Sequence, residues 1–208
     1  MSRLLIPRAD YQRIFRTIHS VLANETMDLT KCCVAINVIG ATLLNRFYKL
    51  DARPFAGLAA YCVKQGSAIL FASERDGILE PTDGGFHCWI ETQDWVIDFT
   101  TPLFPLLVQG TAMPNPGSKM MQRTFRSAKG SPKELAESGD YFVHADLDFT
   151  KQVLTRFAEK QGHHDLISIC EKWYQKPPKP MLPSIGIGNE KGEVREVVLS
   201  RQEVVGEW

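Results

Sequence analysis

Three residues of this chain have the types and spacing for acyl-transfer chemistry: Cys33, His87 and Asp98. His87 and Asp98 fall in one run, Gly85-Phe86-His87-Cys88-Trp89-Ile90-Glu91-Thr92-Gln93-Asp94-Trp95-Val96-Ile97-Asp98-Phe99, with ten residues between them. The run reads as a hairpin. A two-residue turn at Thr92-Gln93 makes Glu91 oppose Asp94 and Ile90 oppose Trp95, and the same count sets His87 opposite Asp98. Directly opposed residues share a sheet face. There a carboxylate fixes the tautomer of the imidazole and stabilises its protonated form, the service an orienting acid gives a general base. Cys33 lies upstream at the start of an apolar helix, where a thiol is activated.

That helix, about 31–47, carries Cys32, Cys33, Val34, Ala35, Ile36, Val38, Ile39, Ala41, Leu43 and Leu44, so it is apolar on nearly every side and must be buried. Asp28 or Thr30 can cap its start. First-turn N–H groups and the positive end of the helix dipole favour a thiolate over a thiol, and the same N–H groups suit a developing oxyanion. Ile36, Asn37 and Gly40 lie along the Cys33 stripe, and Gly40 lets the helix approach a sheet closely. Cys32 is the rival nucleophile. Neighbours on a helix point about 100° apart, so only one of the two sulfurs can face His87.

The remaining elements follow from periodicity. Residues 9–23 repeat Tyr11, Ile14, Phe15, Ile18, Val21 and Leu22 at helical spacing, and Asn24-Glu25-Thr26-Met27-Asp28 breaks the pattern. Apolar runs 55–63 and 68–72 around Lys64-Gln65-Gly66-Ser67 form a hairpin, followed by turn signals in the polar stretch 73–84. Four successive strands after a helix imply an antiparallel sheet packed on that helix, an α+β plan. Residues 110–139, rich in Pro and Gly with a weak apolar element at 120–125, read as an irregular surface loop able to cover a site. Residues 141–143 read as a strand, and 149–161 and 164–174 as helices ended by Pro177-Pro178-Lys179-Pro180. A last hairpin is expected at 185–187 and 194–199 around Asn189-Glu190-Lys191-Gly192.

At 208 residues and 44% hydrophobic content, the chain is expected to form a single domain with a core at about 28–108 and helices and a hairpin at 149–208. Lysine plus arginine equals aspartate plus glutamate at 24 each, so no long-range field steers it onto nucleic acid or anionic lipid. No apolar run reaches the roughly 18 residues of a bilayer span, and Met1 to Pro7 lacks a signal-type apolar core. Five cysteines without a CxxC pair fit a reducing, cytoplasmic setting. Cys62, Cys88 and Cys170 sit in apolar patterns and read as small buried hydrophobes.

Cys33-Val34-Ala35-Ile36-Asn37 resembles the Cys-x-Glu-x-Asn start of the arylamine N-acetyltransferase nucleophile helix, with Ala35 in place of its Glu. Lys31-Cys32-Cys33-Val34-Ala35 is similar to the Ser-Cys-Trp-Ala run of papain-like proteases, where the residue aligned with Cys33 is the nucleophile. His87-x-Trp89-x-Glu91 and Trp95-x-x-Asp98-x-Thr100 resemble the transglutaminase-like His-x-Trp-x-Glu and Trp-x-x-x-Asp-x-Thr pattern, one residue shorter before the Asp. Over residues 31–102 the chain thus resembles the transglutaminase-like and arylamine N-acetyltransferase-like branch of the papain-like cysteine hydrolase superfamily, as a bacterial family built on this core.

The resemblance implies a papain-like fold and a Cys33, His87, Asp98 triad for thioester-forming acyl transfer or amide hydrolysis. It implies no metal or organic cofactor, and a small-molecule or peptide amide or thioester substrate. It also favours Cys33 over Cys32. No acyl-coenzyme A signature is present, so the acetyl donor does not carry over.

Two readings compete with this one. One is a catalytically silent binding module using the 110–139 loop. The other is a metal-dependent hydrolase built on His87, Cys88 and His144. Glu91 and Asp94 read as solvated turn-edge acids, His163-His164-Asp165 and His144 with Asp146 as surface groups, and Gly186-x-Gly188 lacks the setting of a dinucleotide loop. Asn24, the nearest amide before Cys33, is the candidate second oxyanion donor.

Overall fold

In a computed structural model, which describes residues 4–25, 28–189 and 191–208, the chain is α+β. Met1 to Arg3 of the start, Thr26 and Met27 of the first break, and Glu190 of the last turn lie outside the described residues. Helix α1 (Arg8–Asn24) buries the expected stripe of Tyr11, Ile14, Phe15, Ile18, Val21 and Leu22. A single 3-10 turn, Leu29–Lys31, precedes α2 (Cys33–Leu43), which runs on into a π-turn, Leu44–Tyr48. The α-helix therefore begins at Cys33 rather than Lys31. Asp28 caps the 3-10 turn, its Oδ1 accepting from Thr30 N and Thr30 Oγ1, and does not cap α2, which begins only at Cys33.

The sheet strands are β1 (Arg53–Lys64), β2 (Ser67–Phe71), β5 (His87–Glu91), β6 (Trp95–Asp98), β7 (Lys119–Thr124), β8 (Tyr141–Ala145) and β11 (Gly206–Glu207). A short hairpin, β3 (Ser73–Arg75) with β4 (Ile78–Glu80), occupies the stretch that reads as turns alone. Helix α3 (Phe104–Leu107) follows β6, and α4 (Leu147–Ala158) and α5 (Gln161–Trp173) follow β8. A separate hairpin of β9 (Ser184–Gly188) and β10 (Val194–Val198) sits where expected. The seven-stranded sheet runs β11-β7-β6-β5-β1-β2, with β8 also on β1. Pairing is antiparallel except for β11 on β7, so the sheet is mixed.

Two further expectations need correction. The 110–139 stretch is not an irregular loop throughout: β7 lies inside it and pairs with β6 along Trp95↔Thr124 to Asp98↔Met121. Its Lys-Met-Met-Gln-Arg-Thr sequence lacks the β-branched alternation that marks a strand, and long-range pairing makes it one. The β5–β6 turn is Gln93-Asp94, not Thr92-Gln93. Ile90 pairs with Ile97 and Glu91 with Val96, two residues on from the expected register, because Thr92 N donates to Trp95 O at 2.9 Å and closes the turn one residue later. A shift of two preserves side-chain parity, so His87 and Asp98 stay on one face as diagonal neighbours.

One sheet face, with Ile90, Ile97 and Phe99, packs on α1, α2 and α5; the other, with Tyr61, Trp89, Val96 and Met121, packs under Phe104 and Trp208. Gly40 is what brings α2 down. A Cβ there would overlap the Phe99 ring and stand 3.2 Å from Ile90 Cδ1. No helix among the described residues is long and apolar enough to cross a membrane.

Candidate functional site

Asp98 ends β6 fully buried, and four donors surround its carboxylate. Oδ2 accepts from His87 Nε2 at 2.7 Å and from Tyr61 OH at 2.9 Å; Oδ1 accepts from Thr100 N at 2.7 Å and Asn37 Nδ2 at 3.1 Å. A carboxylate so surrounded is held ionised. Burial alone would push Asp98 up; the His87 charge and hydrogen bond, with Thr100 N and Asn37, overcome it and hold Asp98 below its ordinary value. The reverse applies to His87. Burial favours its neutral form, but Asp98 and then Cys33 outweigh it and push the imidazole up to about 10.

Because Nε2 is committed to Asp98, the ring's other nitrogen is the one left for chemistry. Nδ1 is buried without a hydrogen-bond partner, yet the Cys33 side chain stands close enough to raise the ring's affinity for a proton. The Cys33 side chain thus lies within interaction range of the ring, while Nδ1 has no hydrogen bond to nitrogen or oxygen. Cys33 opens α2, and its N-cap, Cys32, supplies no side-chain cap, which leaves the first-turn N–H groups to other acceptors. The Cys32 thiol instead donates to Asp28 O at 3.2 Å. Burial, then Cys33 and Asp28, push it up to about 11, so Cys32 faces elsewhere and keeps its proton.

Asn37 ties the helix to the strands. Its Oδ1 accepts from Phe99 N at 3.0 Å, which fixes the amide orientation, and Nδ2 is then shared among Cys33 O, Cys88 O, Asp98 Oδ1 and Thr100 Oγ1 at 2.8 to 3.1 Å. The Tyr11 hydroxyl donates to Asp98 O from α1. Phe71 stacks on the His87 ring with centroids 4.3 Å apart, and Tyr61 meets it edge-on at 5.7 Å. Tyr61 and Tyr11 carry no sequence signal as site residues. The usable clue is general: a buried tyrosine hydroxyl, or an amide in an all-apolar helix, must find polar partners.

Other candidates fall elsewhere. Asn24 is not beside Cys33: at the end of α1 its amide faces Arg195, whose Nε and Nη2 its oxygen accepts in the satisfied orientation. His144 is exposed on β8 and stacks with Phe142, so His87, Cys88 and His144 do not converge, and no cluster of three His, Cys, Asp or Glu side chains suited to a metal occurs among the described residues. His163 and His164 contact the last carbonyls of α4, Phe157 O and Ala158 O, as helix-end partners. Glu91 is not a solvated acid but accepts from Trp89 Nε1 at 2.9 Å. Gly186 and Gly188 lie in β9 against β10.

The fold is similar to a crystal structure described as that of genomics APC5867, with 32% identity over 100% of this chain and 99% of that one and a TM-score of 0.87. A search of curated proteins finds no match. A family profile described as "Protein of unknown function (DUF2026)" matches residues 7–208, and the chain belongs to that family.

Proposed function

We propose that this protein is a papain-like cysteine enzyme that transfers an acyl group or hydrolyses an amide through a thioester on Cys33. His87 is base and later acid, and Asp98 is the orienter. The observation that carries the reading is the His87 ring, with Nε2 bonded to a buried carboxylate and Nδ1 unpartnered near a thiol at a helix start. A helix bearing the nucleophile, packed on antiparallel strands that bear the other two residues, is the arrangement expected of a papain-like core.

The chemistry follows from those positions. The Cys33 proton passes to Nδ1, and Asp98 stabilises the resulting imidazolium. The thiolate attacks the substrate carbonyl, and first-turn N–H groups of α2 hold the oxyanion. His87 returns its proton to the leaving amine or thiol as that bond breaks, leaving the acyl group on sulfur. A water, amine or hydroxyl acceptor then gives a proton to His87, attacks the thioester and releases Cys33. These steps use only the chain's own groups. Five unpaired, buried cysteines suit a reducing, cytoplasmic setting.

Near-complete burial of Cys33 and His87 beside Phe71 and Phe104 is also what a silent binding module would have. Incubation with a panel of acyl thioesters and activated amides, read by intact mass and peptide mapping, separates the two. The enzyme gives an acyl adduct on Cys33 that Cys33→Ala abolishes and Cys32→Ala preserves. A module gives no adduct with any donor.

A further inference from the structure

We infer that the apolar groove beside this site binds the acyl chain of the substrate, and that this chain is a medium-length hydrocarbon. The inference rests on the acyl-transfer reading and names its substrate class. The groove, about 510 Å³, lies between β2 and the segment after β6, lined by Leu70, Phe71, Leu107, Ala112 and Met113 among others. Its volume falls within the roughly 300–1,000 Å³ of small-molecule sites.

The lining excludes polar occupants. None of the described residues that line it is charged, and its one hydroxyl is spent: Thr111 Oγ1 donates to Val108 O at 2.7 Å and accepts from Met113 N at 3.1 Å. A phosphate would lose its hydrogen bonds to water there and find no charged or hydroxyl partner among the lining side chains. A hydrocarbon loses nothing and covers apolar surface such as Leu70, which is 47% exposed.

Proximity to the catalytic groups says which part of a substrate the groove would take. Phe71 is both a wall of the groove and the ring stacked on His87 at 4.3 Å. Phe104 backs both, 5.6 Å from Phe71 and 6.0 Å from His87. Phe71, backed by Phe104, is thus the one aromatic layer between the groove and the imidazole, and the chain of a carbonyl attacked by Cys33 enters the groove by turning the Phe71 ring aside. In the reaction the carbon–sulfur bond to the donor breaks, one to Cys33 forms, and the donor thiol leaves with the His87 proton. The chain remains in the groove through both half-reactions.

The test measures binding to Cys33→Ala, which cannot be acylated, by calorimetry with octanoyl- and acetyl-N-acetylcysteamine thioesters. Octanoyl should bind at least about tenfold more tightly, since each buried methylene strengthens binding several-fold. Ala112→Trp and Leu70→Glu, both at exposed positions that leave the core intact, should each remove most of that preference. Equal binding of the two thioesters, or a preference that survives both substitutions, overturns the groove assignment. Chain-selective binding without a Cys33 adduct in the unsubstituted protein would keep the groove and refute the catalytic reading, so the two failures are distinct.

Discussion

At the scale of single residues the site is a buried charge arrangement whose pH behaviour has a definite sign. His87 rises from an ordinary 6.5 to about 10 on folding, so its stabilisation is fully present below pH 6.5 and is lost as pH rises through about 10. Asp98 is depressed below an ordinary 3.8, so its share is present above that value and is lost as pH falls through its lower folded value. Asp98→Asn should destabilise the protein by about 3–5 kcal/mol between those limits, the cost of breaking a buried pair. Thermal melts of both proteins from pH 5 to pH 10 should show the gap narrow as pH approaches 10; a gap constant over that range contradicts the assignment. Asn37→Leu leaves Asp98 Oδ1, two carbonyls and Phe99 N short of partners and should cost about 1–3 kcal/mol or more in denaturant unfolding. An unchanged midpoint would remove Asn37 from the account.

Among the elements, α2 and the β5–β6 hairpin do the positioning, and both were legible for physical reasons. An apolar helix without a polar face has to be buried, and Gly40 marks where it touches the sheet. Gly40→Val should lower stability by about 1–3 kcal/mol through overlap with Phe99 and Ile90, and should slow Cys33 acylation by lifting the helix from His87. Normal acylation in a destabilised variant would show that the helix contact does not set the site. The sequence pattern sets the hairpin turn one residue early, yet His87 and Asp98 meet all the same. Side chains alternate with period two, so an error of two in register preserves the face. The α2 start was less legible, since a 3-10 turn and an α-helix share the same apolar pattern over three residues.

Over the whole molecule, the parts hidden from the sequence are those made by contacts between distant segments. β7 splits its methionines between the two cores, Met120 toward the helices and Met121 toward the aromatic cluster, and takes its β-structure from β6 and β11. Tyr61 belongs to the site only because β1, separated from β6 by β5 in the sheet, carries its hydroxyl to Asp98 Oδ2. The same cluster receives Trp208, 5.5 Å from Tyr61 and 5.6 Å from Phe104. Trp208→Ala should therefore cost about 3–5 kcal/mol in denaturant unfolding with an unchanged slope, against little effect if the ring were peripheral. The central claim is that Cys33, His87 and Asp98, drawn from three separate elements, act as one unit. The most direct measurement is the pH profile of iodoacetamide labelling, mapped by peptide mass, in the unsubstituted protein and in His87→Gln. Cys33 should be labelled rapidly at pH 6 and lose that reactivity in His87→Gln, with Cys32 slow throughout; slow labelling of Cys33 at pH 6, or a rate indifferent to His87→Gln, would contradict the account.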